Sequence, residues 1–215
     1  LLDDAVDGRG AVVGVVGQPG IGKSRLAHEV AGMARQRGVD VFTACCESHA
    51  SRVPFYAVVR LLRTVTGVDG LDAPAARDRL RDRIGGADPE DMLLLDDLLG
   101  IGDPDAVVAR IDPDARRRRL TALVNVASTA RQTPAVYVIE DAHWIDGVSE
   151  SMLADFFTVI PQTAALVLVT YRPEYTGDLA RAHGAETMVL DPLSGTETAA
   201  LVSELLGADS SLREL

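Results

Sequence analysis

A short stretch near the start of the chain has the residue types and spacing needed to bind phosphate. It matches the pattern G-x-x-x-x-G-K-[ST] with Gly17-Gln18-Pro19-Gly20-Ile21-Gly22-Lys23-Ser24. Glycines let backbone N–H groups approach phosphate oxygens, and the N-terminus of a following helix adds partial positive charge. Lys23 would reach the β- and γ-phosphates, and the Ser24 hydroxyl would ligate Mg²⁺. The stretch therefore predicts a site for a nucleoside triphosphate with Mg²⁺.

The residues on either side predict a strand before this loop and a helix after it. Residues 11–16 form an apolar run rich in β-branched residues, which is typical of a buried parallel strand. After the loop, Leu26, Val30 and Met33 recur at helical spacing. This context favours a phosphate-binding loop, or P-loop, over a plain glycine turn. We include Arg25, the first residue past the motif, in the predicted nucleotide site.

Two carboxylates follow another apolar run, residues 136–139. Glu140 and Asp141 come directly after it, in the Walker B arrangement. In open α/β sheets, ligands bind at the carboxyl ends of the strands. Adjacent side chains there point to opposite sides, so one acid would hold Mg²⁺ through water and the other would polarise the attacking water. The residues leave open which acid does which, and Asp146 could cap the next helix.

The elements that would position these residues alternate along the chain. Apolar runs predict strands at 11–16, 39–45, 135–139, 165–170 and 187–190. Helical patterns predict helices at 54–66, 73–84, 89–99, 113–131, 149–160 and 196–206. Such alternation implies a parallel sheet covered on both faces. We therefore predict an α/β fold, a three-layer α/β/α sandwich with a five-stranded parallel sheet.

The long interval between the second and third predicted strands contains no convincing strand. We interpret residues 53–132, approximately, as a helical insertion within a nucleotide-binding core that covers residues 1–193. Ser194 and Glu197 have the spacing of a capping box, which predicts a new helix. Residues 194–215 are therefore expected to begin a lid or a downstream domain.

Composition narrows the classes of function. The 215 residues include 47% hydrophobic and 25% charged residues, an ordinary globular balance. The net charge of −11 argues against a nucleic-acid surface, which needs clustered Lys and Arg. No apolar run reaches the roughly 18 residues of a membrane span, and no signal peptide is visible. We expect a cytoplasmic protein without nucleic-acid or membrane partners.

Other polar groups are expected to be structural. Cys45 and Cys46 are adjacent, so core packing in a reducing compartment is a simpler interpretation than a disulfide. The basic run 116–119 forms either an ion-paired, solvated helix face or an arginine finger for a neighbouring subunit. The acids between residues 96 and 105 are expected in turns and caps.

The string around the paired acids resembles a known family. Residues 138–146, VIEDAHWID, are similar to the signature hhhhDDxHWxD of STAND-type ATPases, the signal-transduction branch of the AAA+ group. Glu140 stands where the first Asp is usual. The resemblance covers nearly the whole chain. It implies the P-loop NTPase fold and an ATP/ADP-binding, slowly hydrolysing switch, as in LuxR-type regulators and beside class III adenylate cyclase domains of multidomain bacterial, including actinobacterial, proteins.

The resemblance also implies roles for residues near the acids. Thr170 and Arg172 are similar to the sensor-1 region of the family and would respond to the γ-phosphate. The alternative for Arg172 is a surface pair with Glu174. For His143, a phosphate contact, a brace for the acids and plain packing stay open, and Trp144 is either a core anchor or part of the site.

Partners outside this chain are implied as well. They are a cyclase or DNA-binding effector domain and a lid in the same polypeptide, with self-association on ATP binding. The family's adenine-contacting motif and lid are not found in this sequence, so weak nucleotide affinity is expected. Two other interpretations are a scaffold that holds nucleotide without hydrolysis and a small-metabolite kinase, which the His-Trp string does not favour.

Overall fold

Five parallel strands form the sheet that carries the predicted site residues. They are β1 (Ala11–Val16), β2 (Asp40–Cys45), β3 (Ala135–Glu140), β4 (Ala165–Tyr171) and β5 (Glu186–Val189). The sheet order is β2-β3-β4-β1-β5, and every neighbouring pair is parallel. The computed structural model describes residues 1–106, 110–182 and 185–206. The predicted α/β class and the five-stranded parallel sheet are confirmed.

Helices fill the connections and cover both faces of the sheet. They are α1 (Leu2–Val6), α2 (Lys23–Gln36), α3 (Tyr56–Thr66), α4 (Ala73–Arg83), α5 (Pro89–Leu98), α6 (Pro113–Ala130), α7 (Gly147–Phe157) and α8 (Gly195–Leu206). The four helices α3 to α6 lie between β2 and β3, where the helical insertion was predicted. The sequence did not predict α1, because so short a helix shows no helical period.

The helices of the insertion begin at clear sequence signals. Asp72, Asp88 and Asp112 precede α4, α5 and α6 and accept hydrogen bonds from N–H groups of the first turn. Each of these helices also has a proline in its first turn, where the missing N–H is not needed. These local signals explain why the predicted and observed starts agree.

Two hydrophobic layers lie on opposite faces of the sheet. Alternate residues of β3 divide between them. Val136 and Val138 belong to the cluster formed with α1 and α2, whereas Tyr137 and Ile139 belong to the cluster formed with α3 to α7. The three-layer α/β/α sandwich is therefore confirmed.

The helix after the glycine-rich loop buries small residues against the sheet. Ala27, Ala31 and Ala34 are at most 2% exposed, but Met33 is 51% exposed. The helix itself is as predicted, and the placement of Met33 on its apolar face is wrong. Small side chains let α2 lie close to the strands, which turns Met33 outwards.

One buried carboxylate joins the start of the insertion to the segment after β3. The Oδ1 atom of Asp146 accepts hydrogen bonds from the N–H groups of Phe55 and Ser149, both at 2.9 Å. Its Oδ2 accepts from Ala57 N–H at 3.4 Å, and Ser149 Oγ accepts from Val58 N–H at 3.2 Å. The predicted capping role of Asp146 is confirmed for α7, and the same side chain also caps α3.

The last described helix, α8, begins where the capping box predicts. Ser194 N–H donates to Glu197 Oε2 at 2.8 Å, and Glu197 N–H donates to Ser194 Oγ at 3.3 Å. Residues 207–215 of the predicted lid segment lie outside the described residues, so the lid stays a prediction. Within the described ranges, no helix has both the length and the apolar character needed to cross a membrane.

Candidate nucleotide-binding site

The glycine-rich loop joins β1 to α2 with two glycines in the left-handed region. Gly20 has a φ of 79° and Gly22 a φ of 106°, values that other residues rarely adopt. A Cβ on either glycine would meet nothing within 4 Å, so the backbone faces open space there. Its N–H groups can therefore approach a ligand closely, which is what a phosphate-binding loop requires.

The ammonium group of Lys23 lies inside this loop. Lys23 is 7% exposed, and its Nζ donates hydrogen bonds to the carbonyl oxygens of Gly17 (2.8 Å) and Gln18 (3.1 Å). An ammonium has three N–H donors, so one remains for a ligand oxygen. Because both carbonyls are neutral, the positive charge stays available to attract an anion.

The first turn of α2 adds further groups. It carries no acidic residue, so the partial positive charge at this helix N-terminus is not offset locally. Ser24 is partly buried there and Arg25 is exposed. His28 lies four residues after Ser24, on the same helix face, and its Nε2 is 3.7 Å from Glu140 Oε1. This face of α2 therefore points towards the carboxyl end of β3. The sequence analysis missed His28, although its spacing from Ser24 was a usable signal.

Glu140 is the last residue of β3, whereas Asp141 lies just beyond the strand, so strand alternation does not set the direction of its side chain and the predicted division of the two acids stays a prediction. The Glu140 side chain is only 11% exposed and lies on the α2 side of the sheet, the face that it shares with Val138. Asp141 has a φ of 54°, and its side chain is 41% exposed. A left-handed backbone is strained for a residue with a side chain, less so for Asp than for most.

A hydroxyl from the neighbouring strand holds the Asp141 backbone. Thr170 on β4 is fully buried, and its Oγ1 accepts a hydrogen bond from Asp141 N–H at 3.0 Å. Thr170 therefore contacts the Asp141 backbone rather than facing solvent, and its response to a phosphate stays a prediction.

Arg172 lies over the indole ring of Trp144. Its guanidinium carbon is 5.8 Å from the ring centroid, within cation–π range. Trp144 is 38% exposed, which excludes the core-anchor interpretation. The ion pairs found among the described residues do not include one between Arg172 and Glu174, the alternative considered for this arginine.

His143 completes the group at the ends of β3 and β4. Its side chain is 9% exposed, and neither ring nitrogen has a hydrogen-bond partner in the described part of the chain. Nδ1 lies 3.9 Å from Asp141 Oδ1, and the ring centroid lies 5.1 Å from that of Trp144. Burial lowers the pKa of His143. The negative charge of Asp141 raises this pKa, whereas the positive charges of Arg172 and Lys23 lower it further. These side chains therefore share one electrostatic environment.

The basic run on α6 lies outside this group and is ion-paired. Three of its arginines contact acids of the same chain: Arg116 with Asp97 (2.6 Å), Arg117 with Asp155 (3.5 Å) and Arg119 with Asp91 (2.5 Å). Arg118 is exposed. These contacts favour the ion-paired helix face, and the arginine finger stays a prediction.

Two other expectations have different outcomes. Cys45 and Cys46 are free, and Cys46 is 3% exposed within a hydrophobic layer, so the packing interpretation is confirmed for this residue. This burial raises the pKa of the Cys46 thiol to about 12. Asp96 is 2% exposed within α5, and burial raises the pKa of its carboxyl. The expectation that Asp96 is a turn or cap acid is therefore wrong.

The combination of this fold and this site defines a class of protein. A parallel sheet whose first strand leads through a G-x-x-x-x-G-K-[ST] loop into a helix, with paired acids at the end of a nearby strand, is a P-loop NTPase. A family model described as an AAA ATPase domain matches residues 1–169. The chain therefore belongs to the AAA ATPase domain family, and this membership supports a nucleotide-binding domain.

A curated relative is similar in sequence to most of this chain. "Uncharacterized protein R02095" from Rhizobium meliloti (strain 1021) is 30% identical over 203 residues, which covers 92% of this chain and 20% of the relative. The chain thus spans about a fifth of the relative's length.

The solved structures that resemble this chain share less of its sequence. A DNA replication initiation factor is 11% identical with a TM-score of 0.46, over 95% of this chain and 48% of that one. The Orc1 protein of Aeropyrum pernix, solved in complex with DNA, is 12% identical with a TM-score of 0.45, over 94% of this chain and 45% of that one. At such scores neither likeness bears on the function of this chain.

Proposed function

We propose that the chain is an Mg²⁺-dependent, slowly hydrolysing ATP-binding switch domain of the STAND type within a larger signalling protein. The observation that carries this proposal is the convergence of three groups at one sheet edge: the Lys23 loop, the Glu140–Asp141 pair and the Thr170–Arg172 segment. They lie at the carboxyl ends of β1, β3 and β4, which are adjacent in the sheet. The carboxyl ends of adjacent parallel strands form the ligand edge of such a fold.

The loop would hold the triphosphate of ATP. Backbone N–H groups of residues 17–22 would surround the α- and β-phosphates, and the remaining N–H donor of Lys23 would reach the γ-phosphate. Arg25 is exposed beside the helix N-terminus and would add positive charge near the phosphates.

The oxygen atoms on the α2 side of this edge fit a magnesium ion. Mg²⁺ prefers oxygen ligands and keeps several waters, and when bound it would offset the charge of the β- and γ-phosphates. The Ser24 hydroxyl and the Glu140 carboxylate supply such oxygens, and the contact between His28 and Glu140 supports their closeness. We therefore assign Glu140 to the metal side.

Asp141 is the better candidate for orienting the attacking water. Its backbone is fixed by Thr170, and its carboxylate is partly exposed and lies beside His143, with Oδ1 at 3.9 Å from Nδ1. Arg172 lies at the same edge and would stabilise charge on the transferred phosphoryl group.

The switch would act on domains outside this chain. The match to a fifth of the Rhizobium relative agrees with one domain of a long polypeptide. The effector would be of the adenylate cyclase or LuxR DNA-binding type, with a lid and ATP-dependent self-association as further steps. The net charge of −11 and the ion-paired arginines argue against direct nucleic-acid contact, and the free thiols agree with a cytoplasmic setting.

Calorimetric titration with ATP and Mg²⁺, together with phosphate-release assays, tests the proposal. Lys23→Ala should weaken ATP binding by roughly 10- to 100-fold, because it removes a charge-assisted contact. Asp141→Asn should keep binding and lose phosphate release. Arg79→Ala, an exposed change on α4, is the control and should alter neither. If Lys23→Ala binds ATP as tightly as the wild type does, the proposed site is wrong.

A nucleotide-holding scaffold without significant hydrolysis is the second candidate. Glu140 at the position of the family's usual Asp favours it, because the longer side chain places the carboxylate differently relative to a metal. Wild-type phosphate release at the level of a protein-free blank would support the scaffold. Release that Asp141→Asn abolishes would support the enzyme.

A further inference from the structure

The imidazole of His143 is a polar group at the site that the proposed function leaves without a role. Its side chain is 9% exposed, and neither ring nitrogen is hydrogen-bonded within the described residues. Buried polar groups in native proteins are nearly always paired, so an exception of this kind points to a ligand, a water or a catalytic task.

The surroundings of the ring narrow these choices. One ring nitrogen, Nδ1, faces the Asp141 carboxylate at 3.9 Å, beyond a hydrogen bond but within reach of a side-chain rotation. The Asp141 backbone is fixed by its hydrogen bond to Thr170, so the carboxylate moves about its own torsions only. Trp144 packs near the imidazole at 5.1 Å between ring centroids, and Arg172 lies over the indole. The imidazole is therefore confined beside the carboxylate.

We propose that His143 is a positioning residue for ATP hydrolysis: its Nδ1–H donates to the Asp141 carboxylate and holds that carboxylate in the orientation that receives a proton from the attacking water. This inference rests on the proposed role of Asp141. The water oxygen bonds to the γ-phosphorus while the bond to the β–γ bridging oxygen breaks. ADP keeps that electron pair, inorganic phosphate forms, and one water proton passes through Asp141 to solvent. His143 itself is unchanged.

The tautomer of the ring tests the contact without any turnover. The chain has four histidines, so proton–nitrogen correlation spectra of the ring nitrogens can be assigned by substitution. With ADP and Mg²⁺ bound, His143 should carry its proton on Nδ1, and Asp141→Ala should abolish that preference. A proton on Nε2, as a direct phosphate contact requires, would overturn the proposal, as would a ring that does not respond to Asp141→Ala.

Kinetics of matched variants separate positioning from packing. His143→Phe keeps the ring shape and should lower kcat roughly 10- to 100-fold, with the KM for ATP and ATP affinity unchanged. His143→Asn places an N–H near the position of Nδ1 and should recover part of the rate, whereas His143→Gln, which mimics Nε2, should not. Unchanged kcat in His143→Phe, or rescue by Gln instead of Asn, contradicts the proposal.

Two further measurements complete the test. In an Asp141→Asn background, His143→Phe should lower kcat little further, because His143 acts through Asp141. His49→Phe is the control, since His49 is exposed and lies beside Glu47. If the wild type releases no phosphate, the proposed hydrolysis fails, and the tautomer still decides whether His143 contacts Asp141.

Discussion

The carboxyl edge of the sheet and the helical insertion differ in how their polar side chains are paired. In the insertion, Asp72 and Asp112 cap helices and Arg119 contacts Asp91. At the edge, Lys23 contacts only neutral carbonyls in the hydrogen bonds described, and neither ring nitrogen of His143 is hydrogen-bonded within the described residues.

The insertion also contains buried polar atoms without a hydrogen-bond partner, but in its described part only one such atom occurs in each residue concerned. Asp96 and Asn125 each have one buried oxygen without a hydrogen-bond partner, and the Nε of Arg116 also lacks one, whereas both ring nitrogens of His143 lack a hydrogen-bond partner. Asp141, next to His143, also has a strained backbone. Backbone strain and buried polar atoms without hydrogen-bond partners occur together at this edge, which indicates that a ligand would bind there.

The comparison predicts the largest loss of stability at Asp146, which joins the insertion to the segment after β3. Asp146→Ala should destabilise the chain by about 3 kcal/mol, because it removes the caps of α3 and α7 and leaves buried N–H groups unpaired. Asp72→Ala, at the exposed cap of α4, should cost about 1 kcal/mol. Urea unfolding measures both. Equal losses would show that Asp146 is an ordinary cap.

A smaller effect is expected at Thr170, on the edge itself. Thr170→Val leaves Asp141 N–H unpaired and should cost about 1–2 kcal/mol in unfolding free energy. It should also slow phosphate release, because the Asp141 backbone is no longer held. Thr170→Ser keeps the hydroxyl and should restore both. A Val variant with full phosphate release would mean that this hydrogen bond matters only for folding.

Ion pairs of the insertion should contribute less. Arg119 is 32% exposed in its side chain, so Arg119→Ala should cost less than about 1 kcal/mol. The cost should shrink as salt is added. The exposed neighbour Arg118, changed to Ala, should have no effect on unfolding. A large, salt-independent loss at Arg119 would place this pair among the buried structural contacts.

The smallest expected effect is a pH dependence from His143. Its pKa is lowered in the folded state, so the unfolded chain binds the proton more readily. The contribution is therefore fully present above the unfolded pKa and is lost as the pH falls towards the folded value. Between neutral pH and about pH 5, the free energy of unfolding should fall less in His143→Phe than in the wild type, whereas His49→Phe should behave like the wild type. Urea unfolding of the three proteins at both pH values measures this difference.

The sequence predicted the strands and helices well because they depend on local spacing. The apolar runs, the helical periods and the Asp and Pro residues at the starts of α4, α5 and α6 each occupy a few neighbouring residues. The errors at Met33 and Asp96 have another cause, since a helical period shows that a helix has an apolar face but not how that face docks. The contacts of Glu140 with His28 and of Thr170 with Asp141 join separate elements, so spacing within one element did not reveal them.

The double cap at Asp146 also sets an order of events for a chain made from its N-terminus. The hydrogen bond between Phe55 and Asp146 joins residues 91 positions apart. During synthesis the insertion helices therefore emerge before the carboxylate that caps α3 exists. They can form early from their own Asp and Pro signals, but α3 obtains its cap only after β3 and the start of α7 have followed. We expect this loop to close late and slowly, and the apolar faces of the insertion helices to stay exposed to non-native contacts until it does.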